Sequence, residues 1–307
     1  MFTSKKGVAA LSVASNTLLT LAKLVVGLTI GSVSVVAEAI HSGVDLLAAV
    51  IALFAVSRSA RPPDDEYPFG RGKIENVSGT VEALLIFLAA GLIVSEAVNK
   101  LLHPPELPQV DLGLVVMALS VVVNLFVSRR LFAVARRTES VALEADAYHL
   151  TTDVLTSLDV FVGLILVRLT GFAYLDPIAA LLVAGLIVRT AWEITRRSFL
   201  DLLDRGLPAE ERRLVARVIQ QHGDRLVGFH EVRTRKAGGE RHVDLHLVVA
   251  ARATVEEAHA LCDHLERDLH RALGRCTLNI HTEPCRQDCA DCPVKCSLPG
   301  RGDEPAA

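Results

Sequence analysis

The first 200 residues of this 307-residue chain contain no cysteine and only three histidines. All six cysteines and eight of the eleven histidines fall after residue 200. There is no phosphate-binding glycine loop, no HExxH pair and no evident nucleophile–base pair, so neither ATP-driven chemistry nor a metallohydrolase is encoded in a recognisable form, and an enzyme is not expected. Net charge is nearly absent too. A formal value of −3 is too small to imply a nucleic-acid partner. The apolar run after Lys5 and Lys6 has no small-residue cleavage site and is long enough to span a bilayer, so a cleaved signal peptide is not expected.

What is present is apolar mass. Half of the chain (51%) is hydrophobic and the mean hydropathy is +0.39, too high for an ordinary soluble protein of this size. That mass is concentrated in residues 1–200. A spanning helix needs about 20 mostly apolar residues, and six candidates meet this, at about 8–30, 32–57, 78–101, 110–134, 140–168 and 175–198. The turn Thr29-Ile30-Gly31-Ser32, the loop containing Pro104, Pro105 and Pro108, and the stretch Gly171 to Asp176-Pro177 separate them. Basic residues set the orientation. Lys5, Lys6, Arg58, Arg61, Arg71, Lys73, Arg129, Arg130, Arg136, Arg137, Arg196 and Arg197 fall on one side, and only Lys100 and Arg168 on the other. Both termini are therefore expected in the cytoplasm of a multi-pass protein of the inner (plasma) membrane, and reduced thiols are expected in the tail.

Inside two of these spans lie pairs of polar residues that hydrocarbon does not tolerate without a reason. His41 and Asp45 are four apart, as are His149 and Asp153, so each pair occupies one face of a helix, one turn apart. Both pairs fall near mid-span. Two imidazoles and two carboxylates form a nitrogen/oxygen cage suited to a tetrahedral metal. Helix–helix polar glue is the bland alternative. Asp146 shares the stripe of His149 and Asp153 and is a candidate proton relay. Lys23, Glu38, Glu82 and Asp159 also lie in or near spans, where structural pairing or pore lining is expected.

The tail, from residue 201, is polar and alternates in type. A helix opens at Pro208 with Glu210 and Glu211 and ends near His222-Gly223. Strands are expected at about 226–236 and 240–250, joined by a Gly238-Gly239 hairpin. Thr254 and Glu257 form a capping box before a helix striped by Ala258, Leu261, Leu265 and Leu269. A last strand runs over about 276–283. The expectation is an α-helical membrane protein with six transmembrane helices (1–200), followed by a small cytoplasmic α+β domain of ferredoxin-like αββαβ order (201–284) and a Cys-rich tail (285–307).

These stretches together carry a resemblance. Ala37-Glu38-Ala39-Ile40-His41-Ser42 through Asp45, Tyr67-Pro68-Phe69-Gly70 through Lys73, Ala145-Asp146-Ala147 through Asp153, Leu175-Asp176-Pro177-Ile178-Ala179-Ala180 and Leu202-Leu203-Asp204-Arg205 through Glu211 resemble, in order and spacing, the cation diffusion facilitators, in particular a bacterial zinc-transporter-like member. The resemblance implies a homodimeric, proton-coupled exporter of divalent transition metals with its transport site at His41, Asp45, His149 and Asp153. Neutral imidazoles favour Zn²⁺ over hard cations, while Cd²⁺, Fe²⁺, Co²⁺ and Mn²⁺ stay open as substrates. A membrane-anchored metal sensor or chaperone without turnover is the alternative of another class. The resemblance also implies a regulatory zinc site in the cytoplasmic domain at His230, His246, His259, His281 and Glu283, and a dimer-stabilising salt bridge between Lys73 and Asp204. Some family members carry a further site in the loop between the second and third spans. Here Asp64 is kept, but Tyr67 and Arg71 stand where histidines are expected, so that site is expected to be absent.

The remaining histidines and cysteines divide by setting. His222, His264 and His270 read as a solvated face. Cys285, Cys289, Cys292 and Cys296 have spacing that lets four thiolates wrap one Zn²⁺. Cys262 and Cys276 read as buried small side chains.

Overall fold

A computed structural model describes residues 3–30, 33–103, 113–170 and 174–286, and the chain divides into two compact units, Met1–Leu202 and Leu203–Ala307. Glu38, Asp176, Cys289, Cys292 and Cys296 and the loop prolines Pro104, Pro105 and Pro108 lie outside the residues whose placement or side chains are described.

The first unit consists of long helices: α1 (Lys5–Ile30), α2 (Val33–Ser59), α3 (Lys73–Leu102), α4 (Gly113–Thr138), α5 (Val141–Thr170) and α6 (Leu175–Leu202). Among the described residues five segments are long and apolar enough to cross a membrane: Lys5–Thr29, Ala39–Ser59, Lys73–Leu102, Ala118–Thr138 and Pro177–Leu202. They turn large apolar side chains outward, including Leu18, Leu28, Leu47, Phe54, Leu88, Phe126 and Leu182. An exposed belt of that kind is what a lipid solvent requires.

Inside, α5 is the shared element. Ala142, Leu143, Ala147 and Leu150 pack with residues of α1, α2 and α4. On another side Ala145 packs with Ala83, Ile86 and Ala90 of α3 and Ile187, Ala191 and Ile194 of α6. The alanines let backbones approach closely, which is how helices associate where no hydrophobic effect drives them together. Gly79 does the same for α3, since a Cβ there would sit 2.9 Å from both Val141 Cγ1 and Ser198 Oγ. A two-residue link joins α4 to α5. Glu139 adopts φ +50° and the Ser140 amide donates to Ala135 O at 3.1 Å, a Schellman-type end built without glycine.

One end of the bundle is held by a carboxylate. Glu75, at the start of α3, is 2% exposed. Lys5 Nζ of α1 donates to it at 2.8 Å and Ser59 Oγ of α2 at 2.7 Å. Ser140 Oγ, preceding α5, donates to its other oxygen. Four helices are thus tied at one level.

The second unit is α7 (Ala209–Gln220), β1 (Gly228–Ala237), β2 (Glu240–Val249), α8 (Val255–Leu273) and β3 (Cys276–Pro284). The sheet order is β1-β2-β3, with β1–β2 antiparallel and β2–β3 parallel. Gly238, at φ +60°, turns the hairpin. The capping box of Thr254 and Glu257 is present, with both reciprocal hydrogen bonds. Val243, Leu245, Leu247 and Val249 pack under α7 and α8 with Val215, Ile219, Leu261, Leu265 and Leu269. The other face of the sheet is polar. His242 is buried, and its burial followed by the nearby Arg235 charge holds its pKa below the ordinary imidazole value. His222, read as solvated, ties α7 to α8, with Nε2 3.3 Å from Asp268 Oδ2. Cys276 is buried and Cys262 half-buried, and burial raises the pKa of both thiols.

Candidate metal centres

Helix rise already fixes the levels of the polar residues in the first unit. Asp45 lies fourteen residues before Ser59 and Asp153 thirteen after Ser140. Both serines bind Glu75, so at 1.5 Å per residue both aspartates stand about 20 Å from the tied end. The four side chains named from sequence do converge. His149 Nε2 lies 3.1 Å from Asp45 Oδ1, and His41 Nε2 lies 3.9 Å from the same oxygen. One donor atom each of His41, Asp45 and Asp153 fall within 4.8 Å of one another. Asp45 and His149 are buried, and the His41 side chain is exposed. His149 Nδ1 and Asp153 Oδ2 are buried and make no hydrogen bond. Buried polar atoms without a partner are costly and rare, and here both belong to groups that coordinate metals.

A lysine borders this cluster. Lys23 of α1 is 8% exposed and its ammonium donates to Ser42 Oγ at 2.8 Å, beside His41. Its charge also acts on Asp153.

In the second unit the sheet register builds a row. His230 pairs with His246 across β1–β2, and His246 with His281 across β2–β3. Neighbouring rings are 5.2 and 4.8 Å apart between centroids. Glu283, two residues along β3 on the same face, completes the cluster. Its Oε1 accepts from His246 Nδ1 at 2.9 Å, and its Oε2 is 3.5 Å from His230 Nε2. The hydrogen bond from His246, and then the neighbouring imidazoles, hold the Glu283 carboxyl below its usual pKa. Donor atoms of His230, His246 and Glu283 fall within 4.8 Å of one another.

His259 is not in that group. It stands on α8 with Nε2 3.8 Å from Asp263 Oδ1, and lines a groove of about 380 Å³ with Cys262, Leu278 and Ile280. Glu231, which sequence reasoning missed, approaches instead. A bulge between His230 and Arg233 puts it at φ +49° and brings its Oε2 within 3.8 Å of His246 Nε2. Bulges re-aim side chains in this way, and no residue pattern in the strand announces one.

In the α2–α3 loop, Arg71 Nη1 lies 2.8 Å from Asp64 Oδ2 and its guanidinium stacks 4.0 Å over the Tyr67 ring. The Arg71 hydrogen bond holds the Asp64 carboxyl below its usual pKa. The Lys73 ammonium lies 3.3 Å from Leu202 O, and Asp204 Oδ1 lies 3.5 Å from Arg235 Nη1. Cys285 is half-buried with a free thiol.

Residues 9–203 match the family described as Cation efflux transmembrane domain, and residues 207–285 match Cation efflux protein, cytoplasmic domain. An uncharacterized transporter of Synechocystis sp. is 35% identical over 254 residues, covering 83% of this chain and 82% of that one. An uncharacterized transporter of Methanocaldococcus jannaschii is 30% identical over 249 residues, covering 81% and 87%. The cation-efflux pump FieF of Yersinia enterocolitica is 31% identical over 258 residues, covering 83% and 84%.

Proposed function

Because this chain belongs to the cation efflux family, the cation diffusion facilitators, we propose that it exports Zn²⁺ from the cytoplasm in exchange for protons. The observation that carries the reading is the meeting of Asp45 and His149 at 3.1 Å from two different helices, with His41 and Asp153 alongside. Two carboxylates neutralise one divalent ion in a low-permittivity interior. Two imidazoles tilt the choice to Zn²⁺ over Mg²⁺, Ca²⁺ or Mn²⁺. Ligands must shed protons to bind metal, and imidazole does so near pH 6.5. Protons arriving from outside therefore expel the metal, and metal arriving from the cytoplasm expels the protons. Alternating access then gives antiport without ATP. Asp146 serves as a relay for those protons.

In this reading α5 is the fifth of six spans, residues 1–200 are the transport domain, and both termini face the cytoplasm from the plasma membrane. Residues 201–284 form the metal-sensing domain of a homodimer, with His230, His246, His281 and Glu283 binding regulatory Zn²⁺. His259 lies on another surface of the same domain and joins that function only as a separate ligand. Lys73 and Asp204 form the dimer-supporting bridge, and Cys285, Cys289, Cys292 and Cys296 are a further zinc-binding tail. The test is metal competition in proteoliposomes under a pH gradient. Zn²⁺ flux should be inhibited by Cd²⁺ more than by Mn²⁺ or Mg²⁺. Tight zinc binding without any flux would make the chain a sensor instead.

A further inference from the structure

Glu231 holds a backbone conformation that its side chain disfavours. It opens the β1 bulge, where His230 pairs with His246 and Arg233 with Asp244, so three steps of β1 oppose two of β2. Its φ of +49° is left-handed. The first residue of such a bulge is ordinarily glycine, because a Cβ is strained there. Strain kept at one residue points to what its side chain reaches.

What it reaches is the open nitrogen of His246. His246 Nδ1 donates to Glu283 Oε1 at 2.9 Å. A neutral imidazole carries one N–H, so this bond leaves the lone pair on Nε2. A carboxylate that holds one ring nitrogen in this way orients the other towards a metal. Glu231 Oε2 lies 3.8 Å from that Nε2. The separation is too long for a hydrogen bond. It is close to what two ligands of one ion need, since donors about 2.1 Å from Zn²⁺ stand about 3.4 Å apart at the tetrahedral angle. Donor atoms of His230, His246 and Glu283 already fall within 4.8 Å of one another, so the surroundings fit a divalent cation before Glu231 is counted.

The same Glu231 oxygen has a second cation beside it. Arg233 Nη2 donates to Oε2 at 3.0 Å. The Arg233 and Glu231 side chains are 77% and 50% exposed. An ion pair so open to water contributes little, and a divalent ion anchored by imidazole displaces it.

We propose that Glu231 coordinates zinc together with His246 Nε2, giving up the Arg233 guanidinium for the ion, a role that rests on the reading of the histidine row as a regulatory zinc site. The bulge is kept because it turns this carboxylate onto the row. Arg233 is the resident cation that zinc must replace, so it lowers the affinity of the site.

The test uses the full chain in detergent, carrying Asp45→Ala and His149→Ala so that the transport cluster is silent. Zinc is titrated against a calibrated chelator. His246→Ala identifies the zinc that belongs to the row. If it removes none, the row is not a zinc site and this proposal falls with that reading. If it removes one, Glu231→Gln should weaken the same zinc by about tenfold or more. A smaller loss overturns this proposal alone and leaves the regulatory site standing. Arg233→Gln should tighten that zinc, and equal or weaker binding overturns the proposal. Glu231→Gly separates a ligand from a structural residue, because glycine suits φ +49°. Without zinc, this variant should unfold at a temperature equal to or above that of its parent, yet lose zinc as Glu231→Gln does. Retained affinity overturns the proposal, and so does a lowered unfolding temperature, which would show that the side chain serves the fold.

Discussion

Asp45 and His149 are 104 positions apart in the chain, yet Oδ1 of the one lies 3.1 Å from Nε2 of the other inside the helical unit. The contact orients an imidazole whose remaining nitrogen has no other hydrogen bond. Asp45→Ala should do two things at once. It strands His149 as a buried polar group, at a cost of about 1–3 kcal/mol in stability. It also removes one ligand and one charge from the cluster, which should weaken zinc binding by about 100-fold or more, about 2.7 kcal/mol. Thermal unfolding and zinc titration in detergent read the two effects separately.

Lys23 puts a fixed positive charge beside the same cluster. It competes electrostatically with a divalent ion for the carboxylates. Lys23→Met should therefore tighten zinc binding by about tenfold, about 1.4 kcal/mol, and slow release. Lys23→Arg should leave affinity nearly unchanged. Weaker binding in Lys23→Met, measured by competition with a calibrated chelator, would contradict this electrostatic role.

Glu75 is a buried carboxylate bonded from three other helical segments. Truncating one partner of such an arrangement leaves the others unmet. Glu75→Ala should cost about 3 kcal/mol, seen as a lowered unfolding temperature in detergent, with Ser59→Ala costing about 1 kcal/mol. An unchanged unfolding temperature would mean that the tie contributes nothing to stability.

The cytoplasmic-type domain should respond to pH in two ranges. The folded pKa of Glu283 lies below its unfolded value, so its contribution is present above the unfolded pKa and is lost as pH falls through the folded one. Zinc binding by His230 and His246 needs neutral imidazoles, so protons compete with the metal and binding should weaken as pH falls. Zinc should thus raise the unfolding temperature of the second unit at about pH 7.5, and the gain should vanish by about pH 5. His246→Ala should remove most of the gain at the higher pH, which differential scanning with and without zinc can measure.

Much of the transport cluster was legible because it is local in sequence. His41 with Asp45 and His149 with Asp153 obey helix spacing, and each pair interrupts a run that tolerates no idle charge. The cross-pairing of His149 with Asp45 is a tertiary fact with no sequence signal. Glu75 was invisible for the same reason, since its partners lie 16 to 70 residues away. In the second unit, hairpin glycines, a capping box and strand alternation located the elements to within a few residues. Strand alternation had no means of anticipating the bulge that brings Glu231 inward. His259 was grouped with the histidine row by resemblance, while the single chain puts it on α8 beside Asp263.

The most direct test of the central claim is zinc flux into proteoliposomes under an imposed pH gradient, compared between His149→Ala and His246→Ala. The account predicts that His149→Ala abolishes flux while His246→Ala keeps flux and alters only its dependence on cytoplasmic-side zinc. Undiminished flux in His149→Ala, from a folded and reconstituted chain, would contradict it.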